Sequence, residues 1–444
     1  MLKKIGCILL TAAMVLSLAA CGKGPEAGRT VKGGQSSGVA AGPAQVTEPI
    51  TVELWHTFGS GEQAAYMQQA IETFNSTNRH GITVVGNYIG GYVALRTSLS
   101  IAIGAGENPQ MAVLGMSPIL ASNGVLADMA PYAERDGFDV NNIFDEMKGT
   151  MYYDDALVSL PFLRSSIVYV YNEDMWKAAG YNAPPSTVAE MVQQCSTVAS
   201  RNGVLGFGML IDPSYYQEAL IQSLGGEGIV DRSTTSASCL DDGTMLQMLT
   251  DWKSWVDAGW CYRPSVTNSA TEMQQMLYTG QLASGLYSSG VLSALMNYSK
   301  EAGIKLNATL MPGYNGPHAV SGGGDISIIA ANNNEQQVAA CWEFIKFLFE
   351  DEQVVRRHID TGYLPTTHTS IESQTLQNFW EENPAFRVVY EHRENSADPV
   401  GSIYRSEWNT QVSQAISYVI QDGSKTPEEA VGYLKQMYST VFPK

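Results

Sequence analysis

Residues 49–60 read PITVELWHTFGS, a β-rich run that ends in a Gly/Ser turn. The next stretch, GEQAAYMQQAIETFNSTN (61–78), places Met67, Ala70, Ile71 and Phe74 at helical spacing, with Gly81 beyond the helix end. ITVVGNYI (82–89) is a second strand, residues 92–105 a second helix, and QMAVLG (110–115) a third strand. The order β-α-β-α-β predicts a parallel sheet with helices on its faces, and so an α/β fold.

Outward from that unit the pattern changes. LVSLPFLRSSIVYVYN (157–172) is apolar and β-branched, with a proline and an arginine in its middle. Helical segments at 186–200, 213–224 and 243–258 follow. LASGLYSSG (282–290) reads as strand and turn, and GGGDISIIA (322–330) as a flexible start that becomes a buried strand. The helix 335–350 carries Val338, Trp342, Ile345 and Phe349 on one face. TGYLPTT (361–367) is a Gly/Pro-punctuated crossing, and Thr426-Pro427-Glu428-Glu429 is a capping box with proline at the first helical position.

The chain begins with Met1, Lys3 and Lys4, an apolar run Ile8 to Ala20, and then Cys21. A basic start, a short apolar core and small residues at the junction predict a signal peptide over 1–20. Leu18-Ala19-Ala20-Cys21 resembles a bacterial lipobox, which implies lipid on the Cys21 thiol. Residues 21–47 are then the lipidated cysteine and a tether rich in Gly, Ala, Ser, Pro, Gln and Thr, unable to bury enough surface to order itself. Its coil reach is roughly 28 Å.

The remaining body, 48–444, is long enough for two or three domains. Without Lys3 and Lys4 the mature chain has 24 basic and 44 acidic side chains, a net charge of −20. A field of that sign disfavours nucleic acid and anionic membrane surfaces. Four cysteines follow Cys21, too few for a disulfide scaffold. Cys195 and Cys341 sit in amphipathic helical patterns as small buried hydrophobes, and Cys239–Cys261 is one available bridge. No G-x-S-x-G, H-E-x-x-H, Walker A loop or Cys/His zinc spacing occurs, so no cofactor or metal is expected. LDDGT (240–244) is too short for a calcium loop and reads as a helix start. A glycosidase carboxylate pair leaves no local signature, which keeps a secreted glycan hydrolase as the rival class.

The ordered landmarks LWHTF, FN, LPFLRSSIVYVYNEDMWKAAGY, GLYSSG, LMPGYNG, SGGGDISI and TGYLPTT resemble extracellular solute-binding proteins of ABC importers. Within that carbohydrate-binding family they are most similar to the glycerol-3-phosphate and maltose-binding branch. The resemblance implies a two-lobe periplasmic-binding-protein-like fold with a three-crossing hinge and a ligand cleft between the lobes. The crossings would fall near Pro161–Ser166, Ser321–Asp325 and Gly362–Pro365, giving 48–161 and 322–362 as the first lobe and 162–321 and 363–444 as the second. It also implies no catalysis, a sugar or glycerol-phosphate-like ligand, membrane permease partners, and a lipid-anchored monomer on the outer face of the cytoplasmic membrane.

Sugars and polyols present apolar C–H faces and hydroxyl edges, which suit aromatic rings and polar side chains. Trp55 and His56 follow the first strand, and Tyr92 follows the glycines after the second. Ser165 lies at the first crossing and Ser289 at a strand end, where hydroxyls suit ligand oxygens or turn chemistry equally. By resemblance, Tyr92, Gly324 and Tyr363 match ligand-contacting positions, and Tyr215 and Tyr216 fall where the maltose-type branch has an aromatic wall. Arg405 lies close to a phosphate-holding arginine, while Tyr404 or Trp408 instead stacks on a sugar. Met116 stands where the glycerol-phosphate branch carries an acidic residue. Arg164 either reaches the cleft or pairs with surface acids.

Overall fold

The computed structural model describes residues 43–441 except 60, 116–117, 212–214, 229–236, 266–268 and 394–403. The signal, Cys21, most of the tether and Met116 lie outside the described residues.

Strand β1 (Ile50–His56) alternates as its sequence suggests: Val52, Leu54 and His56 are buried while Thr51 is exposed. Helix α1 (Gly61–Thr77) turns Tyr66, Met67, Ala70 and Phe74 inward, with Ile71 at the margin of the core. Strand β2 (Ile82–Tyr88), helix α2 (Tyr92–Ala105) and strand β3 (Met111–Leu114) complete the opening unit. β1 lies between β2 and β3 and is parallel to both. Next come a small hairpin of β4 (Tyr152–Tyr153) and β5 (Ala156–Leu157) and the long strand β6 (Leu160–Asn172). The last four strands are β7 (Ser284–Ser288), β8 (Leu306–Gly313), β9 (Gly316–His318) and β10 (Ser321–Ile328).

The main sheet runs β2-β1-β3-β10-β6-β8-β9, with β7 also on β6. It is mixed rather than purely parallel, because β10 is antiparallel to both β3 and β6. The physical reason is topological: β10 returns from the second lobe and enters the first lobe's sheet from the opposite end.

β6 explains how two lobes share one spine. Its first half, Leu160–Ser166, pairs with β10, and its second half, from Ile167, pairs with β7 and β8. All 13 of its residues are buried, so its apolar residues run on without alternation, broken in the middle by Arg164, Ser165 and Ser166. The third crossing lies alongside: the Leu364 N–H donates to the Arg164 carbonyl at 2.7 Å. Three segments of backbone thus run side by side between the lobes. One apolar cluster extends through both lobes, and a smaller one beneath α2 gathers Leu95, Leu99, Ala112, Leu114 and Ile329.

Local signals are realised in detail. The Thr426 N–H donates to Glu429 Oε2 and the Glu429 N–H to Thr426 Oγ1, at 2.8 and 3.3 Å. Asp242 accepts from the Thr244 N–H at 2.8 Å, so LDDGT does start a helix. The available Cys239–Cys261 bridge is not formed: Cys195, Cys239, Cys261 and Cys341 are all free and buried. Burial holds the thiols protonated, with Cys195 pushed up to about 11 and Cys239 to about 12. Among the described residues no helix is long and apolar enough to cross a membrane, and no group of three or more His, Cys, Asp or Glu could hold a metal.

Candidate functional site

Three glycines, two on the second crossing and one just after β7, each seat a tyrosine against bare backbone. A Cβ on Gly324 would lie 2.6 Å from the Tyr92 hydroxyl, and one on Gly322 2.8 Å from the Tyr215 ring. A Cβ on Gly290 would lie 2.6 Å from Cε1 of Tyr363. Real Cβ contacts do not come that close, so each ring depends on the missing side chain. Tyr92 comes from the start of α2, Tyr215 and Tyr216 from the start of the helix Tyr215–Ser223, and Tyr363 from the third crossing. Tyr363 counts Tyr92, Tyr215 and Tyr216 among the groups acting on its phenol. Four aromatic rings from both sides of the crossings therefore share one region.

Their polar ends differ. Tyr215 donates to the Val320 carbonyl at 2.8 Å, with Ser165 beside it. The Tyr92 hydroxyl is buried, with the Thr57 side chain beside it. Burial raises the pKa of all four phenols, so each keeps its proton. Ser165, at the first crossing, and Ser289, just after β7, are both buried; Ser289 Oγ accepts the Ser166 N–H at 3.2 Å and retains its own proton to donate.

Tyr363 is anchored from behind by His358. His358 Nδ1 lies 2.8 Å from the Tyr363 carbonyl oxygen, and Trp380 Nε1–H donates to His358 Nε2 at 2.8 Å. An indole only donates and a carbonyl only accepts, so the ring is neutral with its proton on Nδ1. Burial lowers the His358 pKa to about 4. An unfolded histidine titrates near 6.5, so between those values the unfolded chain binds a proton the folded one refuses. Stability therefore falls as pH drops from about 6.5 towards 4. His358→Gln is expected to flatten that fall by about one proton, roughly 1.4 kcal/mol per pH unit, in urea unfolding curves across the window. An unchanged slope would place the titration elsewhere.

Other expected residues are placed differently. Trp55 and His56 are neighbours on a strand and point to opposite faces, so they do not act as a pair. Trp55 packs on the cluster beneath α2 and donates from Nε1 to Glu53 at 3.0 Å. His56 is buried, accepts the Phe58 N–H at Nδ1, and has its pKa lowered to about 4 by burial. Arg405 does not present an open guanidinium: it is paired with Glu218 of the Tyr215–Ser223 helix. Trp408 is 1% exposed and packs into the core. The helix Arg405–Ile416 turns it inward together with Val412 and Ala415. Tyr404 is half-buried against the core and caps that helix, its carbonyl accepting the Trp408 N–H. Arg164 pairs with an acid, but a buried one: Asp325 on β10, at 2.9 Å. Gln63 was not singled out in the sequence, yet it bridges α1 to Gly290 and Tyr363.

Two lobes, three shared crossings and tyrosines converging on them define a two-lobe α/β binding protein. The profile of the bacterial extracellular solute-binding protein family matches residues 69–388, and the chain belongs to that family. It is 24% identical to the sn-glycerol-3-phosphate-binding periplasmic protein UgpB of Yersinia enterocolitica over 421 residues, covering 88% of this chain and 91% of the relative. Among solved structures, UgpB from Mycobacterium tuberculosis in complex with glycerophosphocholine superposes with a TM-score of 0.77 at 18% identity, covering 89% of this chain and 98% of that one. The GacH receptor of Streptomyces glaucescens, solved unliganded and with acarbose, gives 0.78 at 17% identity, covering 88% and 98%.

Proposed function

We propose that this chain is the substrate-binding lipoprotein of an ABC importer. It captures a small hydroxyl-rich ligand between its lobes and hands it to a membrane permease, without chemistry of its own. The observation that carries this reading is the group of four tyrosines gathered from both lobes, three of them seated on glycine backbone at Gly290, Gly322 and Gly324. Ring faces take sugar C–H surfaces, and the Tyr92 and Ser289 hydroxyls take ligand oxygens. Contacts that exist only when the lobes meet shift the population towards the closed form. The lobes comprise 48–161 with 322–362 and 162–321 with 363–444. Lipid on Cys21 keeps a monomeric body at the outer face of the membrane.

A neutral sugar or polyol is the first choice of ligand. Arg405, near the expected phosphate position, and Arg164, on the first crossing, are each engaged by a buried carboxylate. A phosphate would have to compete with Glu218 or Asp325 for them. The second reading, a glycerol phosphate or glycerophosphodiester, is favoured by the named ligands of the UgpB relatives. A thermal-shift panel of neutral sugars, polyols and glycerophosphodiesters tests both. A ligand at one hundred times its dissociation constant adds about 2.7 kcal/mol of stability. Tyr92→Phe keeps the ring and removes the donor, and is expected to weaken the hit about tenfold. A panel with no stabilising compound, or glycan turnover abolished by a single carboxylate substitution, would defeat the proposal.

A further inference from the structure

The start of α1 reaches the second lobe through one amide. Gln63 Nε2 lies 2.7 Å from the Gly290 carbonyl oxygen and 3.2 Å from the Tyr363 phenol oxygen. The carbonyl decides which end of the amide faces these atoms, because a carbonyl only accepts and so must meet the nitrogen. That nitrogen carries two hydrogens and has no lone pair to offer. One hydrogen goes to each oxygen, which makes Tyr363 Oη an acceptor here. A phenol O–H lies in the ring plane, so a phenol that accepts on one side of its C–O bond directs its own proton to the other side. Among the described residues no acceptor takes that proton.

We infer that Gln63 is a positioning residue of the ligand site: it holds the Tyr363 phenol as a hydrogen-bond donor to a ligand oxygen and ties that phenol, together with Gly290, to the first lobe. The inference rests on Tyr363 lining the ligand site. Because both bonds leave the same nitrogen, the polarity of Tyr363 and the contact between lobes are set together. When the second lobe moves away from α1, Gly290 and the Tyr363 ring seated on it leave together, and the amide loses both bonds at once. The arrangement favours a ligand that offers an oxygen lone pair at this point over one that offers an amine. The ring cannot drift from it, since Gly290 seats one edge and His358 fixes the backbone behind.

The test inverts the donor. Gln63→Glu replaces a nitrogen that donates with an oxygen that accepts, and an acid in the first helical turn suits the helix dipole, so the fold is retained. In ligand-free protein carrying ¹³C at tyrosine Cζ, the Tyr363 resonance is the one absent from Tyr363→Phe. Gln63→Glu is expected to move it downfield, towards the phenolate position, as the phenol turns to donate to the new carboxylate. Gln63→Ala, which offers neither group, is expected to leave it closer to wild type. An unmoved resonance in Gln63→Glu overturns the inference. Calorimetric titration with maltose and with glycerophosphocholine supplies the second readout. Gln63→Glu and Tyr363→Phe are each expected to weaken the probe that binds about tenfold, and the double variant no further than either alone. Fully additive losses would overturn the inference by showing that Gln63 acts apart from the tyrosine. If neither probe binds wild type, the ligand reading is what suffers, and the resonance in the free protein still decides the polarity of Tyr363.

Discussion

Gly323→Ala is expected to destabilise the body by about 4 kcal/mol or more, the range in which backbone strain and core overlap combine. Gly323 lies on β10 with φ +110°, a conformation that costs other residues roughly 1–3 kcal/mol by itself. Its Cβ would also lie 1.6 Å from the Leu163 carbonyl oxygen and 2.7 Å from the carbonyl carbon. These are backbone atoms of β6, which cannot swing aside as a side chain would. The neighbouring register shift between Gly324 and Asp325 marks where β10 is already bent to admit that approach. Gly203→Ala is the matched control: φ is +68° and nothing lies within 4 Å, so strain acts alone at about 1 kcal/mol. Urea unfolding of both variants gives the comparison. Equal losses would mean that the strands part without cost, and the close approach would lose its importance.

Asp325→Ala is expected to cost about 3–5 kcal/mol, because it strands the Arg164 charge inside the protein. The side chains of the pair are 3% exposed each. Arg164 is also held by Thr150 Oγ1 at 2.6 Å and the Met147 carbonyl at 3.3 Å, which orient the guanidinium but do not neutralise it. Replacing both partners with apolar residues, Arg164→Met with Asp325→Leu, should recover most of the loss, since two desolvation penalties disappear together. The same unfolding curves decide it. A loss below about 1 kcal/mol for Asp325→Ala would show that water reaches the pair and that the two crossings are not fastened there.

The opening β-α-β-α-β unit was legible because its strands and helices each bury one face: Val52 and Leu54 alternate with Thr51 and Glu53, and Met67, Ala70 and Phe74 recur along one stripe. The crossings were placed through family resemblance, with TGYLPTT alone legible as one from its Gly and Pro, and Gly324 and Tyr363 were singled out through the same resemblance. Direction was not legible. Nothing in GGGDISIIA says that β10 runs antiparallel to β3, because strand orientation is decided by where the chain has just been. The dual partnership of β6 was hidden for a related reason: with both faces buried, its sequence carries no alternation to interpret. Arg405 looked available because its acid, Glu218, is 187 residues away in sequence. The burial of Trp408 was not legible, because an aromatic in a helix gives no sign of which way it faces. Gln63 carried no signal, since a polar residue in a first helical turn is ordinarily solvated.

The β3–β10 ladder joins Met111–Leu114 to Asp325–Ile328, across more than two hundred residues of chain. Nothing made before residue 328 can complete that ladder. Loop closure over such a span precedes any reward from the contacts, which makes assembly slow. For a member of a family that works outside the cell, lateness is an asset. A chain that must be threaded through a narrow channel stays threadable as long as its final partner strand has not arrived.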